Sequence, residues 1–295
     1  MTLRYYFKSR HRRYLLITTN LVLGTCAMSA HPATEEIEFR SKNVTLSGTL
    51  MLPPDMVAAM VLVHGSGPER RMTEYARALA AQGVATLSYD KRGVGKSGGV
   101  YVGPEVGTNN VSAENLTLLA ADAAAAAREL ARRLPDGLHL PVGLTGGSQA
   151  GWIAPLAARL SPDIRFMVIW SGPLVTAREQ LRFQFFTDGR SDFWDHHTEA
   201  EAREHIRSAP DRFEFADTDP RESLAKLSIP ALWLFGGRDI NVPVRLCIER
   251  LQALTESGKP YEYKLFPGEG HGLPSAKTIP AAVDWLEATF PRPSR

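Results

Sequence analysis

The sequence predicts an α/β fold in which helices flank a mainly parallel central sheet. Its 295 residues, 44% of them hydrophobic and 22% charged, suffice for one large globular core. Apolar runs of strand length alternate with longer helical patterns, as in strand–helix–strand crossover units. The run AMVLVH at Ala59–His64 is solidly apolar, which indicates a strand buried on both faces.

The predicted elements follow one another along the chain. Glu36–Arg40 and Val44–Leu52 alternate apolar and polar residues, like an opening antiparallel pair. The later predicted strands are Ala59–His64, Val84–Tyr89, His139–Leu144, Ile164–Trp170, Ala231–Phe235 and Tyr261–Phe266. The predicted helices are Met72–Gln82, Ser112–Leu134, Gln149–Leu160, Val244–Ser257 and Ala276–Phe290.

The alternation breaks after the sixth strand. From Pro173 to Lys226 the chain is charged, carries scattered aromatics and has no strand pattern. This segment, 173–226, is predicted to be a helical cap or lid insertion laid over the sheet, within a single domain that spans 35–295.

The first thirty residues have the layout of a signal peptide. A basic cluster precedes an uncharged apolar run, Tyr14–Ala30, which is short for a membrane span and diluted by polar residues. We therefore expect 1–30 to be a signal peptide and the protein to be exported, either periplasmic or secreted. Two alternatives stay open: a retained anchor, or a lipoprotein acylated at Cys26, since LGTC resembles a lipoprotein box.

Composition disfavours a nucleic-acid partner. The leader holds five of the 34 basic residues and no acidic one, so its removal leaves 29 basic against 32 acidic residues. There is no Lys/Arg stripe interleaved with aromatics. Of the two cysteines, Cys26 lies in the leader, so Cys247 has no internal partner for a disulfide.

The turn GGSQAG presents Ser148 between a predicted strand and a predicted helix. A serine nucleophile on such a turn needs small neighbours because the backbone is strained, and Gly146 and Ala150 flank Ser148. The usual pattern is G-x-S-x-G, so Ala150 is a departure from it. A glycine-rich turn containing a serine is, by itself, more often only a turn.

Two later residues supply what a serine nucleophile requires. A base must take its proton and a carboxylate must orient that base, in the chain order Ser, Asp or Glu, His. Asp239 follows the strand ALWLF, and His271 follows the strand YEYKLF. Asp239 or His271 alone is typical of a loop residue, but three such residues, each after a predicted strand and in this order, predict a catalytic triad. Glu269 and Asp284 are alternative carboxylates.

Acyl transfer also needs donors for the negative charge of a tetrahedral intermediate. The turn HGSGP can supply the backbone N–H of Ser66, and the residue after the nucleophile supplies that of Gln149. We expect His64 to be structural and the histidines at 139, 196, 197 and 205 to be surface or packing residues. No metal-ligand spacing occurs, and no metal is expected.

A nucleotide site is not expected, although Gly93, Gly95 and Gly98 match G-x-G-x-x-G. That fingerprint must open a helix, whereas the following GVYVGPEVG has no helical period. A phosphate-binding P-loop would require glycine where Asp90 stands. We therefore expect a structured loop beside the active site and no cofactor.

Together these motifs resemble the α/β-hydrolase superfamily, in its branch of bacterial esterases related to dienelactone hydrolases and serine aminopeptidases. The resemblance rests on HGSGP, YDKRGVGKSGG, GGSQAGW, SGP, GGRD and GEGHG. It implies an α/β-hydrolase fold, with Ser148 as nucleophile, His271 as general base and acid, Asp239 as its orienter, and Ser66 and Gln149 as oxyanion donors.

The expected activity is that of a carboxylesterase acting on small-molecule esters through an acyl-enzyme intermediate. The aromatics of the insertion suggest an apolar acyl or alcohol pocket. A peptidase, amidase or thioesterase on the same triad is the alternative, and a non-catalytic binding protein that kept the fold is a third reading.

Overall fold

The computed structural model describes residues 32–103 and 109–291. Within these ranges, eight strands form one sheet and nine α-helices surround it. The strands are β1 Ala33–Ser41, β2 Val44–Leu52, β3 Ala58–Val63, β4 Val84–Tyr89, β5 Val142–Gly147, β6 Ile164–Trp170, β7 Ala231–Gly236 and β8 Tyr261–Phe266. The helices are α1 Thr73–Ala80, α2 Ala113–Arg133, α3 Ala150–Leu160, α4 Ala177–Thr187, α5 Phe193–His196, α6 Glu199–Ser208, α7 Pro220–Leu224, α8 Val244–Glu256 and α9 Ser275–Thr289.

The sheet is parallel except at one edge, which confirms the predicted fold class. Its strand order is β1-β2-β4-β3-β5-β6-β7-β8, and β2 runs antiparallel to both of its neighbours. From β4 to β8 every pairing is parallel. The carboxyl ends of β3, β5, β7 and β8 therefore lie along one edge of the sheet.

Helices cover both faces of this sheet, as the composition of β3 requires. Successive side chains of a strand point to opposite faces. Ala59, Val61 and Val63 pack in the core that includes α2, α3 and α8, whereas Met60 and Leu62 pack in the core that includes α1 and α9. All six residues of β3 are buried, which is why its sequence is apolar without alternation.

The chain between β6 and β7 forms helices α4 to α7. Two of them, α4 and α6, begin with a capping box, in which Thr176 and Thr198 exchange hydrogen bonds with Glu179 and Glu201. Such caps satisfy backbone N–H groups that a short helix cannot pair internally.

One predicted strand has different bounds in the structure, and one predicted segment lies outside the described residues. The fifth strand, predicted at His139–Leu144, is Val142–Gly147, because the two glycines before Ser148 continue the ladder with β6. The predicted signal peptide and Cys26 fall outside the described residues. No helix within the described ranges is both long and apolar enough to cross a membrane.

Candidate active site

Ser148 stands at the sharp turn between β5 and α3. Its φ is +54°, in the left-handed region that residues with a side chain seldom adopt. Its N–H donates to the Trp170 carbonyl at 3.1 Å, which extends the β5–β6 pairing to the turn itself. Strain of this kind persists where the surroundings fix it, and it is the backbone state that a nucleophile elbow requires.

The glycines around Ser148 are required by close approach. A Cβ on Gly146 would lie 2.3 Å from the Val63 carbonyl oxygen, and one on Gly151 would lie 2.5 Å from the Pro173 Cδ. Real Cβ atoms do not come this close to other heavy atoms. The sequence GGSQAG therefore lets β5 and α3 pack tightly against β3 and the loop after β6.

Asp239 and His271 lie in the loops after β7 and β8 and form a hydrogen-bonded pair. The His271 Nδ1 lies 2.9 Å from the Asp239 Oδ2. The other carboxylate oxygen, Oδ1, accepts from the backbone N–H groups of Asn241 at 2.7 Å and Val242 at 2.9 Å. Asp239 is buried, so the carboxylate has all its partners within the protein.

Ser148 and His271 line one open pocket of about 650 Å³. The remaining walls come mainly from the loop after β3 and from the ends of β5 and β6. Among the hydrogen bonds of the described residues, none joins the side chains of Ser148 and His271. Contacts between a catalytic hydroxyl and its base are often long in a free enzyme and shorten when substrate binds.

The backbone N–H groups of the two predicted oxyanion donors have no acceptor in the part of the chain that the structure describes. Ser66 lies in the turn after β3 and lines the same pocket. Gln149 directly precedes α3, so its N–H belongs to the positive end of a helix. Neither N–H donates to another group among the described residues. Ser66 is thus placed to offer its N–H to a ligand in the pocket, and Gln149 directly follows Ser148, which lines the same pocket.

His64 is placed away from this chemistry, as predicted. It is buried, and its Nε2 donates to the Tyr89 carbonyl at 2.6 Å. Burial, with a further contribution from the Lys91 charge, lowers its pKa to about 4, so the ring is neutral at neutral pH. The stacking of His205 on Phe186 and of His197 on Phe193 likewise gives these two residues packing roles.

The loop YDKRGVGKSGG closes on itself rather than opening a helix. The Asp90 carboxylate accepts from the Lys96 N–H at 3.0 Å and from the Arg71 N–H at 3.0 Å. Burial opposes the charge of Asp90, yet these bonds and the Arg71 guanidinium outweigh it and lower the Asp90 pKa. The Arg92 guanidinium forms a buried ion pair with Asp122 of α2. The glycines of this loop thus serve a structural turn.

The segment between β6 and β7 contacts the site at Asp239. The Trp194 Nε1 donates to the Asp239 carbonyl at 2.8 Å, and Thr187 Oγ1 donates to the Ile240 carbonyl at 2.7 Å. The pocket around Ser148, however, has no lining residue from 173–226. Several aromatics of the insertion instead pack on one another, and Phe183 and Phe193 form the centre of a separate small core. Short helices need such a core of their own.

Sequence reasoning missed two contacts of the site. Lys91 is buried and donates to carbonyl groups of the turn after β3. Ser171, with φ +48°, donates its hydroxyl to the His271 carbonyl at 2.6 Å. The only signal for Lys91 is a lysine two residues after a strand that has no exposed residue, and SGP is the signal for Ser171.

The known proteins that this chain resembles are hydrolases. Residues 54–198 match the family model described as serine aminopeptidase, S33. This match covers β3 to β6, including the turn HGSGP and Ser148. No curated protein sequence matches the chain.

Solved structures share the fold at low identity. An esterase from Pyrococcus furiosus is 16% identical with a TM-score of 0.61, over 88% of this chain and 91% of that one. A dienelactone hydrolase from Anabaena variabilis is 18% identical with a TM-score of 0.56, over 89% and 100%.

An acylaminoacyl peptidase from Pyrococcus horikoshii is 17% identical with a TM-score of 0.59. The match covers 88% of this chain but 41% of the peptidase, so this chain spans about two fifths of that protein's length. At these identities the likeness concerns the fold, while substrates differ among the matched proteins. The chain therefore has the fold of these hydrolases, and residues 54–198, just under half of its length, match a hydrolase family model.

Proposed function

We propose that the protein is a serine hydrolase that cleaves carboxylic esters of small molecules through an acyl-enzyme intermediate. One observation carries this proposal: a strained Ser148 shares a pocket with His271, whose Nδ1 is paired with the buried Asp239. This arrangement meets the requirements of a nucleophile, a base and a group that orients the base.

Each residue has a defined part in the proposed reaction. The Asp239 carboxylate accepts a hydrogen bond from the His271 Nδ1–H, which leaves Nε2 free to take the Ser148 proton. The Ser148 oxygen then bonds to the ester carbonyl carbon, and the resulting oxyanion accepts from the N–H groups of Ser66 and Gln149. His271 returns the proton to the departing alcohol. A water molecule, activated by the same base, then breaks the acyl–oxygen bond and releases the acid.

Amide hydrolysis is the second candidate, because the matched family model is that of a serine aminopeptidase. Thioester cleavage would use the same groups. Assays of p-nitrophenyl esters of increasing chain length against aminoacyl p-nitroanilides separate these activities. Greater kcat/KM on anilides than on esters would overturn the esterase proposal in favour of a peptidase or amidase.

Replacement of Ser148 by alanine tests the nucleophile. We expect Ser148→Ala to lose both turnover and covalent labelling by a fluorophosphonate probe, with kcat falling by about 10⁴-fold or more. Ser208→Ala is the matched control, because that exposed hydroxyl on α6 bonds only its own helix. A folded wild-type protein that neither reacts with the probe nor hydrolyses any ester or amide would support the non-catalytic reading instead.

A further inference from the structure

The Lys91 side chain enters the protein directly behind the two proposed oxyanion donors. Its Nζ donates to the Gly65 carbonyl at 2.6 Å, to the Gly67 carbonyl at 3.2 Å and to the Gln149 Oε1 at 3.2 Å. Lys91 is 2% exposed, so its ammonium group is removed from water and donates to these three protein acceptors instead. All three belong to the two segments that carry Ser66 and Gln149.

The shortest of these hydrogen bonds, from the Lys91 Nζ to the Gly65 carbonyl, is made to the same peptide group that carries the Ser66 N–H. The carbonyl of Gly65 and the N–H of Ser66 are opposite ends of one planar trans peptide. An ammonium bound to the oxygen therefore fixes the direction of the N–H. It also draws electron density toward the oxygen, which makes the N–H a stronger donor. A flipped peptide would lose this bond and turn its carbonyl toward the pocket.

Both neighbours of that peptide are also tied down. The Gly65 N–H donates to the Glu69 Oε2 at 2.9 Å, and the Gly67 carbonyl is the second acceptor of Lys91. On the other side of the hole, the Gln149 side chain is held at both ends, because its Nε2 donates to the Asn110 carbonyl at 2.6 Å. Lys91 thus joins the two halves of the proposed oxyanion hole through one charged group.

We propose that Lys91 is a positioning residue of the oxyanion hole, which holds the Gly65–Ser66 peptide and Gln149 with their N–H groups toward the negative charge of the tetrahedral intermediate. This inference rests on the proposed function. It assigns Lys91 an effect on the transition state and little effect on the bound ester, since charge on the carbonyl oxygen develops only during attack.

The inference also predicts a pH dependence. Burial lowers the pKa of Lys91 to about 8, although the Glu69 carboxylate favours its charged form. The polarising charge should therefore be lost as pH rises through about 8. The titratable groups that interact with the ammonium are Glu69, His64 and Tyr101. Arg92, which is paired with Asp122, lines one small cavity together with Lys91 and His64, and Asp90 is the next charged group, acting on His64.

Three variants test the positioning role on p-nitrophenyl esters. We expect Lys91→Met to lower kcat by about 10- to 100-fold, less than loss of an entire oxyanion donor, with KM changed less than about twofold. The affinity for a trifluoromethyl ketone, which forms a tetrahedral oxyanion adduct with the serine, should fall by the same factor as kcat. Lys96→Met, in the same loop but with a 75% exposed side chain, is the matched control.

Lys91→Arg keeps the charge at all accessible pH values. We expect wild-type kcat/KM to decline as pH rises through about 8 and Lys91→Arg to lack this decline, whatever its absolute rate. A folded Lys91→Met with unchanged kcat overturns the inference, as does a loss confined to KM.

If Lys91→Met does not fold, the pH profiles decide. Identical profiles of kcat/KM against pH for the wild type and Lys91→Arg, measured up to pH 10, overturn the inference. If neither variant folds, a wild-type kcat/KM that does not change with pH overturns it. A wild-type protein that is inert and unlabelled by fluorophosphonate would instead overturn the proposed function itself.

Discussion

The two carboxylate oxygens of Asp239 have different hydrogen-bond partners, and this difference predicts the effect of an amide at that position. Oδ1 is fixed by the N–H groups of Asn241 and Val242, which can only donate. In Asp239→Asn the amide oxygen must stay at that side, so the NH₂ group faces His271. It cannot accept from Nδ1, and the ring is driven to the tautomer with its proton on Nε2.

That tautomer cannot take the Ser148 proton. We expect kcat of Asp239→Asn to fall by about 10³- to 10⁴-fold with the fold intact. Steady-state kinetics and circular dichroism measure the two effects. Asp284→Asn, on the exposed side of α9, is the control. Near-normal activity of Asp239→Asn would assign the orienting role to another carboxylate.

The sequence could predict where Ser148, Asp239 and His271 lie, because each lies in the turn or loop that follows a strand of the parallel sheet. Parallel strands bring their carboxyl ends to one edge, so chain order and strand pattern are sufficient. The contacts of Lys91 could not be predicted in this way. They depend on carbonyl groups of Gly65 and Gly67 and on Gln149, which come from separate segments and converge only in the folded chain.

Among the elements, several strands have the bounds that the sequence predicts. The bounds of β4 and β6 agree with apolar runs, and those of β2 and of the largely exposed edge strand β8 also agree, since turn residues mark their ends clearly. In β5 the pattern failed, because Gly146 and Gly147 are strand residues whose lack of a side chain serves close packing rather than burial of apolar surface. The packing of Phe183 and Phe193 into a small core of their own could not be predicted, since apolar periodicity does not reveal which apolar surface a helix covers.

The close contact between α3 and the loop after β6 predicts the effect of adding one methyl group at Gly151. In most helices Gly→Ala stabilises by about 1 kcal/mol. At Gly151 the new Cβ would lie 2.5 Å from Pro173 Cδ and 2.6 Å from Pro173 N. The first turn of α3 must then move, and Ser148 and Gln149 move with it.

We therefore expect Gly151→Ala to lower the free energy of unfolding by about 1–3 kcal/mol and to reduce kcat. Urea unfolding and ester kinetics give the two values. Gly268→Ala, where no heavy atom lies within 4 Å of the new Cβ, should leave stability near that of the wild type. Equal or greater stability of Gly151→Ala would contradict the packing argument.

At the scale of the whole molecule, the neutral buried His64 couples folding to pH. The pKa of His64 is about 4 in the folded protein, whereas an unfolded chain has a histidine pKa near the ordinary ~6.5. Between these values the unfolded chain binds a proton that the folded protein does not. The free energy of unfolding must therefore fall as pH falls through this window, by up to about 3 kcal/mol from His64.

Replacing His64 by glutamine removes this titration while keeping an N–H donor for the Tyr89 carbonyl. We expect His64→Gln to be less stable than the wild type at pH 7, because the ring packs edge-on against Tyr89 at 4.7 Å between centroids. Its urea-unfolding free energy should nevertheless decline less between pH 7 and pH 4.5 than that of the wild type. His139→Gln, at an exposed position, should keep the wild-type slope. If His64→Gln keeps that slope too, the acid sensitivity of the fold originates at other groups, and the low pKa of His64 would have no measurable effect on stability.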